Sequence, residues 1–312
     1  MNKGLYFWIK ALAIAIIIVL LVKTFAFTSC TIPFSGMENS LYQGDRIIVN
    51  KWSYGLRTPF MSLFSYHRWG NGEVREGDIV VFNNPRPVNP QTAVDRREVF
   101  ISRCVGVPGD TLMLTDQLTV TSQAVLSPDY KSLYSYPKEK EDTLLKVIKR
   151  LGIDNNELIG FNEDGFIRSF SHYEIYLLKQ ELGNSVVFCS LQAKDNNNIH
   201  PFVIPKKGSS VRVYPWNVKL LRNAIMQHEG RNAEVRGDTL FVDGHKAFSY
   251  LFTKDYYWMV SNNSINMNDS RRFGFVPEDH IIGKASFIWF SKDPEAEIFD
   301  GFRWNRFFHT VK

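Results

Sequence analysis

From Leu5 to Phe27 every position is apolar except Lys10, Lys23 and Thr24, and the stretch Ala11 to Val22 carries no charge. A bilayer core takes about 20 helical residues, so this run predicts one membrane helix over residues 5–27. Phe7, Trp8, Phe25 and Phe27 suit the two interfaces, and the flanking lysines can extend their stems to the headgroups. Lys3, Lys10 and the amino terminus outweigh Lys23. The tail 1–4 is therefore expected in the cytoplasm, with everything after the helix outside. Thr28-Ser29-Cys30 suggests a lipoprotein signal, and simple cleavage is a further alternative. Lys23 interrupts the approach to either cut site, which favours an uncleaved anchor.

Beyond the anchor the pattern changes to short β-branched runs between Gly, Asp and Pro. Gly44-Asp45-Arg46-Ile47-Ile48-Val49-Asn50-Lys51 reads as a turn and a strand, and Gly77-Asp78-Ile79-Val80-Val81-Phe82 repeats it. Val99 to Val107 is another strand, stopped by Pro108-Gly109-Asp110, and alternation resumes at Thr111 to Leu114. After about residue 116 helical spacing appears. Leu144, Leu145, Ile148 and Leu151 predict a helix over Glu141 to Leu151, with Gly152 as its stop. A second helix runs from Ser171 to Leu182, where Ser171 and Glu174 form a capping box; a third spans Val218 to His228. Asp195 to Asn198 reads as a loop, and Asp238 to Phe248 as a hairpin turning at Asp243-Gly244. Strand character returns from Tyr256 to Phe290.

The expected architecture is thus mainly β: an antiparallel domain in two parts, 28–115 and 250–312, interrupted by an inserted α+β segment at 116–249. No β-helix-β alternation supports a parallel sheet. The basic and aromatic end, Phe302 to Phe308, fits a segment docked on the core as well as it fits a membrane-surface contact.

Composition narrows the function. A net charge of +5 over 312 residues, with no basic block, argues against nucleic acid and suits a surface facing anionic lipid. Cys30, Cys104 and Cys189 are odd in number and widely spaced, so no disulfide framework is expected. Neither they nor the scattered histidines have metal-ligand spacing, and no metal or other cofactor is expected. Cys104, in mid-strand, reads as a small core residue.

Three blocks, in order behind the anchor, carry a resemblance. They are Ile32-Pro33-Phe34-Ser35-Gly36-Met37 leading into Gly44 to Lys51; Ile101-Ser102-Arg103-Cys104-Val105-Gly106-Val107-Pro108-Gly109-Asp110; and Asn268-Asp269-Ser270-Arg271 with Gly274 to His280. The chain resembles bacterial type I signal peptidases, in the branch with a long insert between the second and third blocks. That resemblance implies a serine endopeptidase domain at the outer face of the inner membrane. It also implies a Ser/Lys dyad: the hydroxyl attacks, and a lysine made neutral by desolvation takes its proton. The nucleophile's amide and a nearby serine hydroxyl would hold the oxyanion.

Carried over residue by residue, the implied machinery is missing. The nucleophile position, just before Met37, is Gly36, and the hydroxyl donor two residues earlier is Phe34. The general-base position, just before Arg103, is Ser102, neither lysine nor the histidine of the archaeal and endoplasmic-reticulum version. The serine that supports the lysine is replaced by Met267. Glycine offers no attacking atom and serine is no base near neutral pH. Loss of a catalytic nucleophile costs on the order of a millionfold in turnover. The remaining matches, Met37, Gly44, Asp45, Arg103, Gly106, Pro108, Gly109, Asp110, Asp269, Ser270, Arg271 and Gly274, read as scaffold, with glycines at turns and Asp269–Arg271 as a structural ion pair.

The expectation is a catalytically degenerate, membrane-anchored member of that family. Its expected partners are lipid and either exported polypeptides or other envelope proteins. The alternative is an active signal peptidase with relocated residues, for which Ser35 would be the nucleophile and a lysine of the insert the base. A lipid-anchored binding module sharing only the fold is the third reading.

Overall fold

The computed structural model describes residues 3–121, 130–153, 156, 158–163, 165–191, 198–263 and 268–311. The apolar run forms a single helix, α1 (Lys3–Phe25), none of whose residues Tyr6–Phe25 is buried in the protein. Phe27 belongs to the first strand and not to the helix, because its backbone pairs with Asn50. Lys51 Nζ donates to the carbonyls of Lys23 and Thr24 at 2.8 and 3.1 Å, so the strand domain caps the end of the anchor.

β1 (Phe27–Thr31) and β2 (Asp45–Asn50) follow, then a small hairpin of β3 (Leu56–Arg57) and β4 (Arg68–Trp69), then β5 (Ile79–Asn83), β6 (Val99–Gly106) and β7 (Thr111–Thr115). Next come β8 (Lys131–Tyr136), α2 (Glu141–Leu151), β9 (Gly160–Asn162), β10 (Gly165–Ser171), α3 (His172–Leu182) and β11 (Cys189–Ser190). The chain continues through β12 (Ile199–Val203), β13 (Ser210–Arg212), α4 (Val218–His228), β14 (Ala233–Arg236), β15 (Thr239–Val242), β16 (His245–Ala247) and β17 (Ser249–Leu251). It ends with β18 (Tyr256–Val260), the one-turn α5 (Ser270–Phe273), β19 (Val276–Pro277), β20 (Ile281–Ser291) and β21 (His309–Thr310).

The largest sheet runs β1-β2-β20-β5-β6-β18-β19, antiparallel throughout, with β21 also on β20. Register shifts within the β2–β20 pair curl it. Ile47 and Val49 of β2 point inward, on alternate residues as a half-buried strand requires, and join Ile32, Met37, Leu41, Val81 and Ile288 in one core. The fold is mainly β, as the pattern predicts.

The predicted helices form where their spacing placed them. α2 ends at Gly152, which takes the left-handed conformation (φ 64°). The capping box closes α3: Glu174 N donates to Ser171 Oγ at 3.1 Å, and Ser171 N to Glu174 Oε2 at 2.7 Å. Asp243 and Gly244 (φ 49° and 82°) turn the β15–β16 hairpin. Of the predicted 195–198 loop, residues 195–197 lie outside the described residues. α2 and α3 cover the sheet β11-β8-β10-β9 over a core of its own, centred on Tyr136, Leu144, Phe170 and Leu178. Residues 199–252 instead share a core with the main sheet, where Phe202, Leu221, Ile225 and Leu240 meet Val105, Leu114 and Trp258.

The carboxyl-terminal segment docks on the core. Arg306 Nη2 lies 2.7 Å from Asp45 Oδ2, at a carboxylate with no exposed surface. Arg303 Nη1 donates to Gln43 O at 2.8 Å. Gly106, read as a turn glycine, is instead the last residue of β6. A Cβ there would stand 2.9 Å from Leu112 Cδ1, so any side chain at this position must displace the packed Leu112 side chain. Gly44 is a true turn glycine: its φ is +88° and a Cβ would lie 1.9 Å from the Lys292 carbonyl oxygen.

Candidate functional site

Ile32 leaves β1 held to the start of β2, donating to Asp45 O at 2.8 Å and accepting from Gly44 N at 2.9 Å. Pro33 and Phe34 then run extended, and Ser35–Met37 forms a single 3-10 turn. Met37 is buried, whereas Phe34 is 61% exposed. Gly36 sits mid-turn in a right-handed conformation open to any residue, so its backbone does not demand glycine.

The turn is stitched to the segment after β18. Asn263 N donates to Gly36 O at 2.9 Å, and Asn263 Nδ2 to Glu38 Oε2 at 2.9 Å. Asn262 Nδ2 donates to Glu38 O and to Ser40 Oγ, and Arg103 Nη2 reaches the same Ser40 hydroxyl at 2.8 Å. Asp269 accepts from Ser261 N at 2.7 Å and is paired with Arg271, whose other arm donates to Tyr130 OH at 3.0 Å. Asp269 also caps α5, and Ser270 Oγ accepts from Met259 N at 2.8 Å. Asp269 and Arg271 are thus an ion pair that braces this wall.

Ser102 lies in β6 with no exposed surface. Its Oγ stands 2.8 Å from Ile101 O, 3.3 Å from Asn268 O and 3.4 Å from Ser261 Oγ. The structure thereby brings Gly36, Ser102 and Asn268 into one region. Met267 lies outside the described residues. Cys104 is fully buried, and burial pushes its thiol up, away from reactivity. Pro108, Gly109 and Asp110 form the tight turn after β6, closed by Val107 N donating to Asp110 Oδ2 at 2.8 Å. Gly274 follows α5 with φ +88°.

Sequence reasoning did not locate the cluster behind the turn. Lys131, the first residue of β8, has no exposed surface, and its Nζ lies 3.4 Å from Glu38 Oε2 and 3.8 Å from Glu174 Oε1. Burial pushes the Glu38 carboxyl up to about 7, against the opposing pull of Lys131 and Asn263. The capping box was the one legible signal here, because it fixes Glu174 with one oxygen spent on its own helix and the other free to face Lys131.

In front of the turn is a groove of about 890 Å³. Ile32, Pro33, Phe34 and Gly36 form one wall and Glu98, Val99, Phe100 and Ile101 of the β6 region the other. Ser261, Asn268, Arg272 and Phe273 close one side, and Asn84 to Val88 another. Over residues 99–101 β6 pairs with β5 along one edge, while among the described residues no strand pairs its other edge, which β18 joins only from Arg103 onward.

The family model for "Signal peptidase, peptidase S26" matches residues 5–164 and 204–290. Signal peptidase I of Buchnera aphidicola subsp. Schizaphis graminum is 26% identical over 297 residues, 93% of this chain and 77% of that protein. The Haemophilus influenzae signal peptidase I is 26% identical over 304 residues, 95% and 72% of the two chains. That of Helicobacter pylori strain J99 is 24% identical over 299 residues, 93% and 83%.

Proposed function

Because the chain belongs to the peptidase S26 signal peptidase family, we propose that it is a non-cleaving member which holds extended stretches of exported polypeptide at the outer membrane face. The observation that carries this reading is at Ser102. Among the described residues its buried hydroxyl meets two carbonyls and another hydroxyl, and no amine. Beside it Gly36 supplies no side-chain oxygen. Acyl transfer by a Ser/Lys pair needs both groups in contact, and here the position of each holds something else. The groove remains, and the edge of β6 that no described strand pairs over residues 99–101 offers backbone groups to which an extended segment can add as a strand.

The anchor puts this groove at a bilayer surface, and the excess of Lys3 and Lys10 over Lys23 orients the domain outward. Exported chains emerge there, and other envelope proteins are within reach. Benzoylphenylalanine in place of the exposed Phe34 tests the reading. Irradiation of the full-length protein in detergent with a purified preprotein is expected to give a crosslink to the intact preprotein. Recovery of a shortened product, or no crosslink, contradicts it.

One observation favours the alternative of an active peptidase with relocated residues: Lys131 is buried near the turn, as a base would be. Among the described residues, however, its Nζ faces the carboxylates of Glu38 and Glu174, and these acids account for a buried lysine as a structural ion-pair partner.

A further inference from the structure

We infer that the groove selects polypeptide segments that carry a carboxylate, recognised by Arg86 and Arg272. The inference rests on the peptide-holding reading above and gives it a chemical specificity. Around this site five other arginines spend their guanidinium donors inside the protein. Arg57 binds Asn83 and the Asp279 carbonyl, Arg68 the carbonyls of Gly55, Glu278 and Ile281, and Arg97 the Thr92 carbonyl and His280. Arg103 binds Gly77 O and Ser40, and Arg271 binds Asp269 and Tyr130. Arg86 and Arg272 differ. Both line the groove and both are exposed, and among the described residues neither guanidinium makes an ion pair or a side-chain hydrogen bond.

The groove carries one carboxylate of its own, Glu98, whose Oε2 already accepts from Asn84 Nδ2 at 3.2 Å. Two unpaired guanidinium groups against that single engaged acid leave the walls net positive. Most of the remaining lining, including Phe34, Val88, Val99, Phe100 and Phe273, is apolar, with Asn84, Ser261 and Asn268 as its neutral polar members. An extended chain with apolar side chains and one carboxylate matches this surface in shape and charge. Guanidinium groups bind carboxylates through paired, charge-assisted hydrogen bonds, which fix orientation as well as adding affinity. The carboxylate has two sources, an Asp or Glu side chain or the free end of a chain.

The test uses the full-length protein in non-ionic detergent and three fluorescent, acetylated heptapeptides of alternating Ala and Val. One has a central Gln and an amidated end, one a central Glu and an amidated end, and one a central Gln and a free carboxyl end. Fluorescence anisotropy should show one or both acidic peptides binding about tenfold tighter than the neutral one, the expectation for charge-assisted hydrogen bonds. The peptide showing the gain identifies the source of the carboxylate. The preference should shrink at about 0.5 M salt, vanish in the Arg86→Gln/Arg272→Gln variant, and persist in Arg86→Lys/Arg272→Lys. Equal binding of all three peptides overturns the carboxylate selectivity and leaves the peptide-holding reading standing. Binding of none overturns both. A preference that survives the double Gln variant overturns the assignment to these arginines.

Discussion

Lys131 Nζ stands 3.4 Å from Glu38 Oε2, and this contact joins the inserted segment to the turn that carries Gly36. The second carboxylate, Glu174, arrives from the first turn of α3, where Asn39 Nδ2 also reaches Oε1 at 3.5 Å. A cation buried between two acids from distant parts of the chain fixes how those parts meet. Removing it leaves two carboxylates with no cation between them. Lys131→Met should therefore destabilise the protein by roughly 3–5 kcal/mol, and adding Glu38→Gln should recover part of that loss. Denaturant unfolding of the full-length protein in detergent measures both.

Glu38 also sets a pH dependence. Its carboxyl is pushed up by burial to about 7 in the folded protein, from an unperturbed value of 4.5. Between these two pH values the folded state binds more protons than the unfolded state. The contribution of Glu38 to stability is therefore full below about pH 4.5 and is lost as pH rises to about 7. Wild type should lose on the order of 2–3 kcal/mol across that window relative to Glu38→Gln. Melting curves of the two proteins at pH 5 and pH 7.5 check this. A difference that stays constant, or that grows in favour of wild type with rising pH, contradicts it.

Restoring the implied dyad asks whether the groove still presents a peptide bond. The 3-10 backbone at Gly36 accepts an L residue, and Ser102 lies close to the groove residues Ser261 and Asn268. Gly36→Ser with Ser102→Lys should cut a preprotein after its Ala-x-Ala sequence, on the order of a thousandfold faster than either single change. Gel analysis of the timed reaction gives the rates. Equal rates for the single and double variants would contradict the proposed alignment of these two positions.

Much of the fold was legible because its signals are local. The anchor is an apolar run uncharged from Ala11 to Val22, and α2, α3 and α4 show helical spacing with a glycine stop or a capping box at two of them. The strands announce themselves by β-branched residues between Gly, Asp and Pro. What escaped is long-range. Nothing near Lys131 in the sequence signals that it will be enclosed by Glu38 and Glu174. Gly106 was misread as a turn glycine because its constraint comes from Leu112 and Ile204, brought against it by the next strands. Arg86 and Arg272 look like ordinary surface arginines until the fold puts both on one groove.

The most direct test is incubation of the purified full-length wild-type protein in detergent with a preprotein bearing Ala-x-Ala before its cleavage site, followed by mass spectrometry. With glycine at position 36 and no amine at Ser102, the preprotein should remain intact after prolonged incubation. Release of the signal segment at that site, lost in a Ser35→Ala variant, would establish a working nucleophile and contradict the non-cleaving role.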